Sequence, residues 1–273
     1  MKRRKNGNYL IIVFALIGVI SLMYPLVCTF LSEMNTTRVV IDYEARERAE
    51  EQYRRDLLRA EIKTLNNKLE SVEPFSFEKS APSSTKKQQK KYEEGDLEGY
   101  IFIPKIDVAL PIYKGVSDAI LSKGVGHLPK TSLPFGGKGT HCVLTGHSGL
   151  STARLFTDLE KLEVKDVFYI KSNKKYLEYR IVEINVKKEN EANDYFQKES
   201  DKDYCTLVTC TPIAVNTHRL LVKGERIKYD GRFKPEVLKE KQTAQNYTAV
   251  AVASAVMLLL TAVIQISRRR GRK

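Results

Sequence analysis

Three side chains of this 273-residue chain have the types needed to open an amide and pass its acyl group on: the thiol of Cys210, the imidazole of His147 and the guanidinium of Arg219. A thiolate is the attacking species, and a nearby imidazole or guanidinium favours it. A carbonyl under attack gathers negative charge on its oxygen, and a multi-donor arginine stabilises that charge by an amount often near ~3 kcal/mol for one donor. The leaving amine needs a proton, which an imidazole supplies near neutral pH. On residue type alone, the competing reading of Cys210 is a small buried hydrophobe. Its place in TLVTCTPIAVNTHR, just before Thr211-Pro212, where strand pairing must stop, leaves both readings open.

The other two residues also sit at strand ends. In HCVLTGHSG, period-2 alternation sends His141, Val143, Thr145 and His147 one way, and Cys142 and Leu144 the other. Gly146 and Gly149 end that strand beside His147, whereas His141, earlier in it, reads as structural. Thr206, Val208 and Cys210 share a face, and Arg219 opens the strand after the loop PIAVNTH. His218 reads as a surface residue. The three candidates meet only if their strand ends share one rim.

Cysteine usage adds a constraint. Cys28 lies in an apolar segment, and Cys142, Cys205 and Cys210 lie outside it, so at least one external thiol is left over whatever pairs. Cys142 and Cys205 lie on strands that are possible neighbours, but no CxxC is present to argue for redox chemistry. No metal-ligand cluster is visible, and no metal or organic cofactor is expected.

Short strands with glycine or charged turns between them begin at Tyr100, Val108, His141, Val167, Tyr176, Tyr204 and Arg219, with a short helix expected over LFTDLEKL, Leu155 to Leu162. That texture points to a mainly β fold, either a closed barrel or a sandwich. Upstream, Ala49, Tyr53, Leu57, Ile62, Leu65 and Leu69 recur at helical spacing, and the pairs Glu50–Arg54 and Glu51–Arg55 support a solvated stalk helix. Pro74 ends it, and the polar run from Lys79 to Asp96 reads as a flexible loop.

The net charge of +13 would fit a nucleic-acid binder, but nine of the positive charges lie at the two extreme ends. Each cluster flanks an apolar run: Tyr9–Leu31, 23 residues without a charge, and Thr248–Ile266, 19 without one. Both are long enough to cross a hydrocarbon core as helices, and SEMNTT after the first offers no cleavage site. Basic flanks put both termini on the cytoplasmic side and the rest outside. The expected order is a basic tail at 1–8, a signal anchor at 9–31, a helical extension with a loop at 32–97, the β domain at 98–232, a juxtamembrane linker at 233–247, a second span at 248–266 and a basic tail at 267–273. The expectation is a two-pass membrane protein with both termini cytoplasmic and its β domain extracellular. Nucleic acid is not an expected partner.

TLVTC followed by NTHR resembles the cysteine and arginine motifs of the sortases, and LTGHSG resembles their histidine motif, in the same order. The similarity runs through GYIFIPKIDVALPIYKG, GVGHLPKTSLPFGGKGTHCVLTGH, LFTDLEKL and RLLVKGER, covering about Gly99 to Ile227. It implies a sortase-type closed β-barrel of about eight strands with short helices, to which the helical extension and two transmembrane helices are added. It implies a cysteine transpeptidase with Cys210 as nucleophile, His147 as acid and base, and Arg219 as oxyanion and substrate stabiliser. The substrate would be an LPxTG-like sorting signal on a surface protein.

SLPFGGKGTHCVLTGHSGL and the second span resemble class C, the pilin polymerases, for which the acceptor is a pilin lysine. In that class an Asp-Pro-aromatic lid lies over the cleft. Its counterpart here is Glu73-Pro74-Phe75, in the loop 71–77, with Glu73 expected to face Arg219 and Phe75 to cover Cys210. Glutamate for aspartate changes the lid's reach, and PIAV after Cys210 departs from the family's usual tyrosine-glycine. Two alternatives stand beside this reading: anchoring of surface proteins to a peptidoglycan precursor, and a catalytically idle scaffold that binds sorting signals.

Overall fold

The β-branched and aromatic runs pair into one closed barrel in a computed structural model that describes residues 3–69, 95–233 and 236–271. Its strands are β1 (Leu97–Ile103), β2 (Val108–Lys114), β3 (Val125–His127), β4 (Thr140–Thr145), β5 (Val167–Ser172), β6 (Lys175–Lys188), β7 (Asp203–Thr211) and β8 (His218–Ile227). They close in the order β1-β2-β3-β4-β7-β8-β6-β5. Most neighbours are antiparallel, but β2 with β3 and β4 with β7 are parallel. A parallel pair requires a long crossover; here the chain between β4 and β7 makes β5 and β6 on the way.

Alternation along each strand fills the barrel. Ile101, Ile103, Leu110, Ile112, Cys142, Leu144, Phe168, Tyr179, Cys205, Leu207 and Val222 point inward as one core. LFTDLEKL forms a tight 3₁₀ turn over Thr157–Lys161 rather than an α-helix, with Phe156 and Leu159 buried beneath it. A five-residue segment held between two fixed loops favours that tighter winding.

Two long helices clasp the barrel from outside: α1 (Arg3–Leu69) at the start and α4 (Glu236–Gly271) at the end. The intervening short helices are α2 (Asp118–Leu121) and α3 (Glu189–Ala192). On α1, Thr36, Thr37, Val40 and Glu44 recur at helical spacing and are buried. Val40 joins Tyr100, Phe102, Tyr169, Phe233 and Leu238 in an aromatic seam between barrel and helices. The buried Glu44 carboxylate accepts hydrogen bonds from Tyr100 (2.8 Å) and Tyr176 (2.9 Å). Burial and that carboxylate push the Tyr100 phenol far above its usual pKa. Glu47 pairs with the buried Lys171 ammonium at 3.0 Å and accepts from the Lys174 amide.

The segment read as a juxtamembrane linker is helical from Glu236 onward and continuous with the second apolar run. Among the described residues no helix is long and apolar enough to cross a membrane. Glu73, Pro74 and Phe75, with the loop around them, lie outside the described residues.

Candidate active site

The parallel register of β4 and β7 brings the histidine loop to the cysteine. Thr145 lies opposite Val208, so two residues further along both strands His147 comes level with Cys210. Backbone bonds hold that junction. The Gly146 amide donates to Val208 O at 3.0 Å, and the Thr209 hydroxyl donates to Gly146 O at 2.7 Å. Gly146 has no room for a side chain, because an added Cβ would come within 2.8 Å of the Phe156 ring. The His147 carbonyl accepts from the Phe156 amide at 3.0 Å, and the Ser148 hydroxyl donates to Cys210 O at 2.6 Å. Gly149 has φ +71°, and its Cα lies so close to Ile213 that a Cβ would meet that side chain at 2.4 Å. Glycine there lets the loop turn against the segment that follows the cysteine.

Arg219 faces Cys210 directly in the antiparallel β7–β8 register. Its guanidinium is fixed by bonds to Asn216 O (3.0 Å), His218 O (3.2 Å) and the Glu189 carboxylate (2.8 Å). The first two come from its own loop, where Ala214 and Asn216 take left-handed backbone angles that tighten the turn. Cys210, His147 and Arg219 therefore gather at one rim, each partly exposed.

On the outer face of the sheet near that rim, Val143, Val208, Leu221 and Ala192 form a small buried cluster, with Tyr195, Phe196 and Leu128 packed against it. The β6–β7 connection thus covers this face, and the β3–β4 connection supplies Leu128.

The remaining histidines and cysteines are occupied elsewhere. His141 is fully buried between Gln197 O (2.9 Å) and the Thr206 hydroxyl (2.8 Å), and burial lowers its pKa. His127 is buried against Glu98 at 2.9 Å and Thr131 at 3.1 Å. His218 bonds to the neighbouring Thr217 hydroxyl. Cys142 and Cys205 lie opposite one another in register inside the core, as free thiols. Burial, then contact with Cys205, pushes the Cys142 thiol well up. Among the described residues no cluster of three or more His, Cys, Asp or Glu could hold a metal ion.

Two residues of the site carried little signal in the sequence. Ser148 stands inside LTGHSG but has no charge to draw attention, and its role emerges only from the bond to Cys210 O. Glu189 lies in a charged run, KKENE, where nothing marks it as the carboxylate on Arg219.

Comparison with known proteins adds to this geometry. The sortase domain family model matches residues 101–227. The chain is 30% identical to sortase A of Streptococcus agalactiae over 173 residues, 61% of this chain and 69% of that protein. It is 28% identical to sortase A of Bacillus anthracis over 131 residues, spanning 47% of this chain and 59% of that relative's length. Among solved structures it is similar to sortase C1 of Streptococcus suis, with 49% identity and a TM-score of 0.50, covering 51% of this chain and 78% of that one.

Proposed function

The chain belongs to the sortase family, and on that premise we propose that it is a membrane-anchored cysteine transpeptidase acting on LPxTG-like sorting signals. The observation that carries this reading is the register that sets Arg219 opposite Cys210, while Ser148 ties the histidine loop to the cysteine carbonyl. The Cys210 sulfur attacks the carbonyl carbon of the signal's threonine. The developing oxyanion is met by the Arg219 guanidinium. As the C–N bond breaks, His147 gives a proton to the departing glycine amine, leaving a thioester on Cys210. An acceptor amine then attacks the thioester, loses its proton to His147, and releases Cys210 as the thiolate.

Similarity to a sortase C1 and to class C motifs favours a pilin lysine as that acceptor, so that the product is an isopeptide-linked polymer. The spans 9–31 and 248–266 hold the enzyme in the membrane with its barrel outside. Glu73, Pro74 and Phe75 form the class C lid, and Glu73→Ala is expected to speed alkylation of Cys210.

Intact-mass measurement of the full chain with an LPxTG peptide tests the core of the proposal. A mass increase equal to the acyl fragment is expected in wild type and absent in Cys210→Ala. Peptide binding without any adduct in wild type would favour the idle scaffold, and an adduct that persists in Cys210→Ala would move the nucleophile elsewhere. Adding a lysine-bearing pilin peptide or a peptidoglycan-type amine then distinguishes polymerisation from cell-wall anchoring.

A further inference from the structure

The catalytic rim lies at the end of the barrel nearest the first apolar segment. Three contacts fix this along α1. At one end, the Thr29 hydroxyl donates to Ser151 O in the loop that follows His147. Further along, Glu33, Thr36 and Thr37 line a pocket together with Val108, Arg154 and Leu155. At the other end, Glu47 holds Lys171 and the Lys174 amide at the β5–β6 turn. Thr29 and Glu47 are eighteen residues apart, about 27 Å along a helix axis. Strand directions agree: β4 and β7 run toward the Thr29 end and finish there at His147 and Cys210. Helix α4 agrees as well, since Lys241, seven residues before the second apolar run, bonds to Asp107 at the same end of the barrel.

That end is edged with exposed apolar side chains. Val215 is 63% exposed, Ile213 41% and Leu150 36%. Leu150 belongs to the loop that touches Thr29, and Ile213 packs on Gly149 of the same loop. On α1 itself, Leu26, Val27 and Leu31 flank Thr29 and are exposed too. The apolar surface of the helix and the apolar lip of the site are therefore continuous; Lys187 and Lys188 stand exposed at the same end, level with Arg219 and His218, where they suit an anionic lipid surface.

We infer that Leu150, Ile213 and Val215 rest in the interfacial layer of the same bilayer that α1 enters, so that Cys210 works at the membrane surface with its rim facing the lipid. This rests on the membrane-span reading of residues 9–31. Exposed apolar side chains beside a span gain by entering the headgroup–acyl boundary, as amphipathic surface segments do. The partner is a lipid surface, chosen over a protein by continuity with the span.

The chain contains no tryptophan, so single tryptophans report without background. The full chain is reconstituted in phosphatidylcholine–phosphatidylglycerol vesicles whose acyl chains are brominated at shallow or deep positions. Val215→Trp and Leu150→Trp report the rim, Phe14→Trp reports the middle of the span, and Tyr53→Trp reports α1 beyond the barrel. The rim tryptophans are expected to show blue-shifted emission and strongest quenching by shallow bromines, at a depth of roughly 5–10 Å. Phe14→Trp should be quenched most by deep bromines and Tyr53→Trp by neither. Deep quenching of Phe14→Trp with rim tryptophans that behave like Tyr53→Trp would overturn the inference while leaving the span intact. A rim blue shift without bromine quenching would mean that protein covers the rim, and would overturn it too. An unquenched Phe14→Trp would remove the span reading on which it rests.

Discussion

Strands β4 and β7 carry a histidine and a cysteine at two levels. In the middle of the barrel, His141 and Thr206 face one way and Cys142 and Cys205 face the other; at its rim stand His147 and Cys210. The residue types are the same and the strands are the same, yet the chemistry differs. His141 has both ring nitrogens engaged and no exposure, and burial lowers its pKa, so it is held as a strut. Cys142 is sealed in the core with its thiol pushed well up. Cys210 and His147 sit where pairing ends, partly exposed, with a guanidinium across the register. Distance from the strand end, and not residue type, separates the buried pair from the partly exposed pair that we propose is reactive.

That contrast breaks first at Arg219. Arg219→Ala is expected to slow formation of the acyl-enzyme by about 10²–10³-fold, the usual cost of one oxyanion donor, with little change in melting temperature. A single-turnover mass assay measures it, and an unchanged rate would remove Arg219 from the site. His141→Ala should behave in the opposite way. It leaves the buried Thr206 hydroxyl and the part-buried Gln197 carbonyl without their bonds, so a loss of about 2–3 kcal/mol in urea unfolding is expected.

Thiol labelling sharpens the comparison. Iodoacetamide should modify Cys210 in the folded chain, with Cys142 and Cys205 lagging by about 10²-fold or more, since they wait for the core to open. Peptide mapping over time gives the three rates, and equal rates would mean that the core level is as open as the rim.

The smallest expected effect is on pH. The pKa of His141 is lower in the folded chain than its unfolded value near ~6.5. Between those values the unfolded state binds more protons, so stability rises with pH there. Stability should fall as pH drops from about 6.5 toward the folded value. Thermal melts of wild type and His141→Gln across this window should converge as the pH is lowered, and parallel curves would show that His141 does not titrate on unfolding.

Much of the barrel was readable because seven strands carry β-branched alternation between turns. The strand Val125–His127 was not, since three residues in GVGH offer no period to detect. LFTDLEKL reads as a short helix, but its 3₁₀ winding depends on the loops that hold it. The adjacency of β4 and β7 is a property of topology with no local trace, although everything about the site depends on it. Motif resemblance pointed to Cys210, His147 and Arg219, and the structure brings them to one rim. Glu189 and Ser148 act through neighbours distant in the chain, 30 and 62 residues away, which no local pattern encodes.

The position of β8 has a consequence for a chain emerging N-terminus first. It is the last strand made, and it lies between β7 and β6. Until it docks, the sheet has two open edges and the thiol has no guanidinium opposite it. Closing the wall and completing the reactive centre are therefore one event. A chain that stops short of Arg219 holds the Cys210 thiol without the guanidinium opposite it.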